Sequence, residues 1–215
     1  MVQAARKRGY RYVAITDHSK SLGVAGGLSD EDLVRHSEEV RNVGSQYTDI
    51  RVLAGTEVDI RQDGTLDYSD ELLSQLDFVV ASVHSGFKQD RKSLTDRVVR
   101  AMENPFVRVI GHPTGRLLGD RDAYDLDFDE LMRAAARTHT CLEVNANFHR
   151  LDLSDVLCRK ARDMGVHVII NTDSHNYDDL LNLPYGVATA QRGWVEKDRV
   201  LNARPVEELL SFKSS

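Results

Sequence analysis

The feature that most constrains the fold of this chain is a series of six short apolar runs, rich in Val and Ile, with longer mixed segments between them. The runs are nearly continuous rather than alternating, so each is expected to form a strand buried on both faces. Such strands, when they alternate with helices, form a mainly parallel sheet that helices cover. The predicted strands are Tyr12–Ile15, Val52–Ala54, Phe78–Val83, Val107–Ile110, Cys141–Val144 and Val166–Ile170.

Amphipathic segments between these runs predict helices. Ser29 is expected to cap the first of them, with Asp32 at its third position. The glycine-rich segment from residue 23 to residue 27 is either a mobile loop over the site or a plain connection to that helix. The predicted helices are Asp30–Gln46, Ser93–Glu103, Asp129–Arg137 and Ser154–Met164.

Histidines and acidic residues follow five of the six runs. Asp173 and His175 stand two residues apart, and an extended chain points two such side chains the same way. Reactive residues spread over many strand ends favour a parallel barrel, because a doubly wound sheet concentrates them at one switch point. The strand-end candidates are His18, Glu57, His84, His112, Asp173 and His175.

These four imidazoles and two carboxylates form a mixed nitrogen and oxygen set, which suits Zn, Mn or Fe better than Ca or Mg. The set exceeds the needs of one ion, so it predicts two or more. Metal ions support phosphoester hydrolysis without a Ser or Cys nucleophile, and the chain has no nucleophile elbow and no Walker loop. One histidine alone is more often structural; four in equivalent positions carry the hypothesis. We assign no chemistry to His36, His139 and His167, and His149 stays ambiguous.

Three basic residues are candidates for holding a substrate phosphate: Lys20, Arg116 and Arg150. Lys20 and Arg150 could equally be solvated surface bases. The short distance from His112 along the chain favours Arg116, which we assign a catalytic role beside Glu57 and Asp173.

The charge balance is acidic, with 28 Lys and Arg against 34 Asp and Glu. This balance argues against holding nucleic acid by bulk electrostatics but leaves room for a cationic pocket that takes one phosphate. No apolar stretch approaches the ~20 residues of a membrane helix, and the first residues do not read as a secretion signal. We therefore expect a cytoplasmic protein with no membrane partner.

The motifs resemble, in order along nearly the whole chain, the metal motifs of the polymerase-and-histidinol-phosphatase (PHP) superfamily. Within it the chain is most similar to the C-terminal PHP domain of bacterial family-X DNA polymerases, on His18–Leu22, Glu143–Ala146 and the tail between Arg192 and Pro205. The metal motifs that carry the resemblance are Ala14–Ser19, Gly55–Glu57, Ser82–His84, Gly111–Pro113 and Asn171–His175.

The resemblance implies an α/β fold, a distorted (β/α)7 TIM-like barrel, and a centre of up to three Zn²⁺ or Mn²⁺ ions that hydrolyses phosphoesters. In the polymerase relatives this means 3′–5′ exonuclease activity and processing of DNA 3′ ends or abasic sites, beside upstream polymerase domains of the same polypeptide. By position, Glu57 would bridge two metals. Asp173 would bind one of these, and His84 and His112 the other. His18 and His175 would hold the third.

The beginning of the chain departs from the family pattern. The family opens with a strand that ends in His-x-His, whereas no histidine precedes His18 and the helix-like segment Val2–Gly9 comes first. We therefore expect one N-terminally truncated PHP domain over residues 1–215, without its first strand. The ion that the absent histidines would share with Asp173 is expected to bind weakly or not at all.

Two other functions remain open. A free-standing phosphatase acting on a small phosphomonoester, such as histidinol phosphate, fits the acidic charge better than DNA binding does. A non-catalytic structural PHP module with an eroded metal site fits the absent His pair, although six ligand-type residues remain.

Overall fold

The computed structural model describes residues 1–22 and 26–213, and these residues form a parallel sheet of six strands in sequential order. The sheet curls into a half-barrel, as in a distorted TIM-like barrel that lacks a strand, which confirms the predicted fold class. Residues 23–25 of the glycine-rich segment lie outside the described residues. The strands are β1 (Tyr12–His18), β2 (Arg51–Asp59), β3 (Phe78–Ser82), β4 (Val109–Ile110), β5 (Cys141–Asn145) and β6 (Val168–Asn171).

Helices connect the strands and pack their apolar sides against the sheet. The predicted cap of α2 is confirmed, because the Ser29 side chain accepts a hydrogen bond from the Asp32 N–H. No helix in the described part of the chain is long and apolar enough to span a bilayer. The helices are α1 (Val2–Lys7), α2 (Asp30–Gly44), α3 (Asp70–Leu73), α4 (Arg91–Glu103), α5 (Phe128–Thr138), α6 (Asp155–Asp163), α7 (Leu183–Arg192) and α8 (Val206–Ser211), with 3₁₀ turns at Asp179–Asn182, Lys197–Arg199 and Leu201–Ala203.

The first two strands run further than their apolar residues indicate. His18 is the last residue of β1, and Glu57 lies inside β2, so neither follows its strand as the sequence predicted. The parallel register continues without a break as far as His18 opposite Glu57. The ladder is made by backbone groups and therefore continues through polar residues. His84, His112 and Asp173 do follow β3, β4 and β6.

The concave face of the sheet changes from apolar to polar along the strands. At the amino-terminal end, side chains of β2 to β6 form a small core that Leu201 and α8 cover. Toward the carboxyl end, the next side chains on the same face are the buried Glu57 of β2 and Glu143 of β5, as strand alternation requires. Residue 111 on the neighbouring strand end has to be glycine, because a Cβ there would lie 2.4 Å from Ser82 Oγ. The packed apolar base therefore holds the polar residues at the carboxyl end of the sheet.

Candidate metal centre

The buried carboxylate of Glu57 lies among three imidazoles. Its Oε1 is 3.0 Å from His112 Nε2 and 3.3 Å from His84 Nε2. Its Oε2 is 3.5 Å from His18 Nδ1. His18, Glu57 and His84 each offer a ligand atom, and these atoms lie within 4.8 Å of one another. The structure thus brings together four of the six predicted metal ligands.

Asp59 orients the imidazole of His84. Its Oδ1 lies 2.5 Å from Nδ1 of that ring, which turns Nε2 toward Glu57. A carboxylate behind a histidine is the usual means of fixing the tautomer of a metal ligand. Burial opposes protonation of His84, but Asp59 and Glu57 overcome it and raise the pKa to about 9. Burial also opposes ionisation of Glu57. Hydrogen bonds from His112 and His84 outweigh this effect and hold the pKa of Glu57 well below its ordinary value.

His112 stands on a turn with left-handed backbone geometry. Its φ is 28°, and the turn closes where the Gly115 N–H donates to the His112 carbonyl at 2.8 Å. The buried Asp152 supports the turn through Oδ2, which accepts from the N–H groups of Thr114 at 2.9 Å and Gly115 at 3.0 Å. Left-handed geometry in a non-glycine residue is kept only where the surroundings determine it, and such residues cluster at functional sites.

A second buried carboxylate, Glu143, connects the turn after β4 with the end of β6. Its Oε2 accepts from the His112 N–H at 2.6 Å and from Asn145 Nδ2 at 3.1 Å, and its Oε1 accepts from Asn171 Nδ2 at 2.9 Å. Asn145 Nδ2 also donates to Asp173 Oδ2 at 3.1 Å. Burial raises the pKa of Glu143 to about 7 despite these donors.

Asp173 and His175 meet, but not through the extended geometry that the sequence predicted. Asp173 has a φ of 50°, and its Oδ1 lies 3.8 Å from His175 Nδ1. The side chain of Asp173 is 14% exposed, whereas that of His175 is 67% exposed. The His175 ring lies at the rim, with its centroid 5.9 Å from that of His18. These two residues therefore flank the Glu57 cluster.

The three candidate phosphate ligands have different surroundings. Arg150 Nε lies 3.3 Å from Asp173 Oδ2, and its buried Nη1 has no hydrogen-bond partner in the described part of the chain. Arg116 donates from Nε to the Arg150 carbonyl at 2.8 Å and from Nη2 to the Leu151 carbonyl. Lys20 donates to Asp30 Oδ1 at 2.6 Å.

Several polar residues of the site escaped sequence reasoning. Asp59 stands two residues after Glu57 in one strand, so the alternation rule that pairs Asp173 with His175 could have found it. Asn145 and Glu143 share the same spacing at the end of β5. His36 contacts Asp17 instead, with its Nε2 2.9 Å from Asp17 Oδ2, and strand alternation points the Asp17 side chain away from that of His18.

The donor set fits a divalent transition metal. It combines imidazole nitrogens with a buried carboxylate, a set that suits Zn or Mn. Within residues 1–22 and 26–213, the buried Nδ1 atoms of His18 and His112 have no well-formed hydrogen bond, although buried polar atoms normally have one. Coordination of an ion would satisfy such atoms.

Comparison with known proteins gives consistent results. The family profile of the PHP domain matches residues 1–147. The chain is 44% identical over 212 residues to the DNA polymerase/3′-5′ exonuclease PolX of Bacillus subtilis, covering 99% of this chain but 37% of that protein. It is 28% identical over 222 residues to a probable phosphatase of Shewanella sediminis, covering 99% of this chain and 85% of that protein. A probable phosphatase of a Thermoanaerobacter species is 24% identical over 208 residues, with 92% and 80% covered. The chain thus spans little more than a third of the Bacillus protein.

Proposed function

The chain belongs to the PHP domain family, and from this membership we propose that it is a metal-dependent phosphoesterase domain that acts on DNA 3′ ends. The proposed reactions are 3′–5′ exonucleolytic cleavage and the processing of 3′ ends or abasic sites. The observation that carries the proposal is the buried Glu57 carboxylate among the imidazoles of His18, His84 and His112.

The proposed metal ligands are the six strand-end residues, and the proposed ions are Zn²⁺ or Mn²⁺. Bound ions would neutralise charge on the phosphoryl oxygens and lower the pKa of a water molecule. Asp59 would keep Nε2 of His84 free for coordination, since it holds the other ring nitrogen. Glu143 would hold the His112 turn in place through the backbone.

Arg150 is the best supported candidate for holding the substrate phosphate. It lies beside Asp173 and keeps a buried N–H group without a partner among the described residues. A guanidinium with a free N–H can bind a phosphoryl oxygen. Arg116 supports the Arg150 backbone, so we propose that it acts by positioning. Lys20 would have to leave Asp30 to reach a substrate.

The Bacillus relative, whose name joins a DNA polymerase with an exonuclease, favours a wider proposal. We propose that this domain works in one polypeptide with polymerase domains, in the cytoplasm. The activity would then remove or repair 3′ ends that the polymerase cannot extend.

Two measurements on the Mn²⁺- or Zn²⁺-loaded chain test the proposal: bound metal per chain, and hydrolysis of bis(p-nitrophenyl) phosphate and of a labelled oligodeoxynucleotide. Glu57→Ala and His112→Ala are expected to lose bound metal and to reduce kcat/KM by about 100-fold or more. Glu130→Gln, an exposed carboxylate on α5, is the matched control and should change neither. Wild-type metal content and rate in Glu57→Ala would refute the proposal.

Hydrolysis of a small phosphomonoester is a second candidate, favoured by the relatives named probable phosphatases and by the net charge of −6. The same preparations distinguish it. A monoesterase cleaves p-nitrophenyl phosphate and leaves the diester and the oligonucleotide intact. A purely structural module would hydrolyse none of the three.

A further inference from the structure

Four large aromatic side chains are exposed on the described segments that follow β5 and β6, and all but Trp194 precede the carboxyl end of α7. Phe148 is 54% exposed, Tyr177 is 64% exposed and Tyr185 is 54% exposed. The mixed nitrogen and oxygen cluster around Glu57 does not use them. Large exposed rings beside a candidate site point to a binding surface, whereas singly scattered ones are ordinary.

Phe148 and Tyr177 are tied to the site by short stretches of backbone. Phe148 stands two residues before Arg150, whose guanidinium contacts Asp173. The Phe148 ring lies against the ring of His149, with centroids 4.1 Å apart. Tyr177 stands two residues after His175, in the segment that follows β6.

Tyr185 lies on α7, which packs closely against the carboxyl ends of β5 and β6. A Cβ at its neighbour Gly186 would lie 2.7 Å from Ala146 Cβ and 2.6 Å from Ile170 Cγ2. Only glycine allows α7 to approach this closely, which brings Tyr185 to the β5 and β6 side of the mouth. The ring nevertheless keeps more than half of its surface exposed.

We propose that Phe148, Tyr177 and Tyr185 form a base-stacking rim that holds the unpaired nucleotides next to the scissile phosphate. The inference rests on the proposed phosphoesterase function and specifies its substrate as single-stranded DNA. A chain with a net charge of −6 draws little affinity from bulk electrostatics. Stacking on aromatic faces supplies affinity for any base, and Arg150 beside the rim provides the contact to the backbone.

The test uses Phe148→Ala, Tyr177→Ala and Tyr185→Ala, with Trp194→Ala as the control. Trp194 is 58% exposed but lies past the far end of α7, under the guanidinium of Arg159. Two quantities are measured: the anisotropy of a labelled oligothymidylate in metal-free buffer, and the KM and kcat with metal for that oligonucleotide and for one of the same length made of tetrahydrofuran abasic units.

Each rim variant is expected to weaken oligonucleotide binding and raise its KM about fivefold or more. Hydrolysis of the abasic oligonucleotide should stay within about twofold of wild type, because that substrate has no bases to stack. Trp194→Ala should match wild type throughout. The rim proposal would be overturned if oligonucleotide affinity were unchanged in all three rim variants. It would also be overturned if kcat/KM fell equally on both substrates. An inactive wild-type chain would overturn the proposed function instead, and the metal-free anisotropy would still decide the rim.

Discussion

Replacement of Glu143 by Ala is expected to lower the free energy of unfolding by about 2–4 kcal/mol, because buried donors lose their acceptor. The His112 N–H and the Asn171 amide both donate to this carboxylate. Asn145 loses one acceptor but keeps its bond to Asp173.

The magnitude follows from these bonds. Each orphaned donor costs about 1–3 kcal/mol, or roughly 2–6 kcal/mol together, with the His112 N–H buried and the Asn171 amide partly buried. A water molecule in the new space and the removal of a buried charge offset part of that cost, so we expect the lower half of the range.

Glu143→Gln is the matched control and should cost about 1 kcal/mol or less. The Gln oxygen can replace Oε2, which accepts from His112 and Asn145. The Gln NH₂ would then face Asn171, whose amide can turn to present its oxygen.

The assay is urea unfolding with a chelator present, followed by the fluorescence of the single tryptophan, Trp194. Chelation removes the stabilisation that bound metal would add. Thermal unfolding should agree, with a fall in Tm of roughly 4–16 °C for Glu143→Ala. A loss below about 1 kcal/mol in Glu143→Ala would show that the donors find other partners, and an equal loss in Glu143→Gln would show that the missing acceptor is not the cause.

Three further predictions concern the scaffold. Arg97→Met should cost about 2–4 kcal/mol in urea unfolding, because the carbonyls of Ile60 and Ser85 lose their buried donor; an unchanged midpoint would contradict this. Ser29→Ala should cost about 1 kcal/mol and Ser29→Asp almost nothing, since only Ala removes the cap of α2. Burial raises the pKa of Tyr12 to about 12, so its contribution to stability is complete below its ordinary value of 10.0 and is lost as the pH rises through about 12. In a spectroscopic pH titration, Tyr12→Phe should have one tyrosine fewer than wild type that ionises only at high pH.

Local pattern was enough to predict the parallel sheet. A strand covered on both faces needs apolar residues at nearly every position, and Phe78–Ser82 satisfies this requirement with buried side chains throughout. The Ser29 cap was equally readable, because the donor lies three residues from the acceptor along the chain. The strand ends were less accurate, since backbone pairing carries β2 on to Asp59.

The ligand types, and with them the metal hypothesis, also came from residue identity and spacing alone. Their partners did not. His84 meets Asp59 across 25 positions of sequence, and Arg116 meets the Arg150 carbonyl across 34. Hydrogen bonds depend on sub-ångström placement of groups from different loops, which no local pattern encodes. Covalent neighbours therefore specified the strands and the chemistry they carry. The packing of the half-barrel determined that Glu143 holds the His112 turn and that Arg150 keeps a buried N–H without a partner among the described residues.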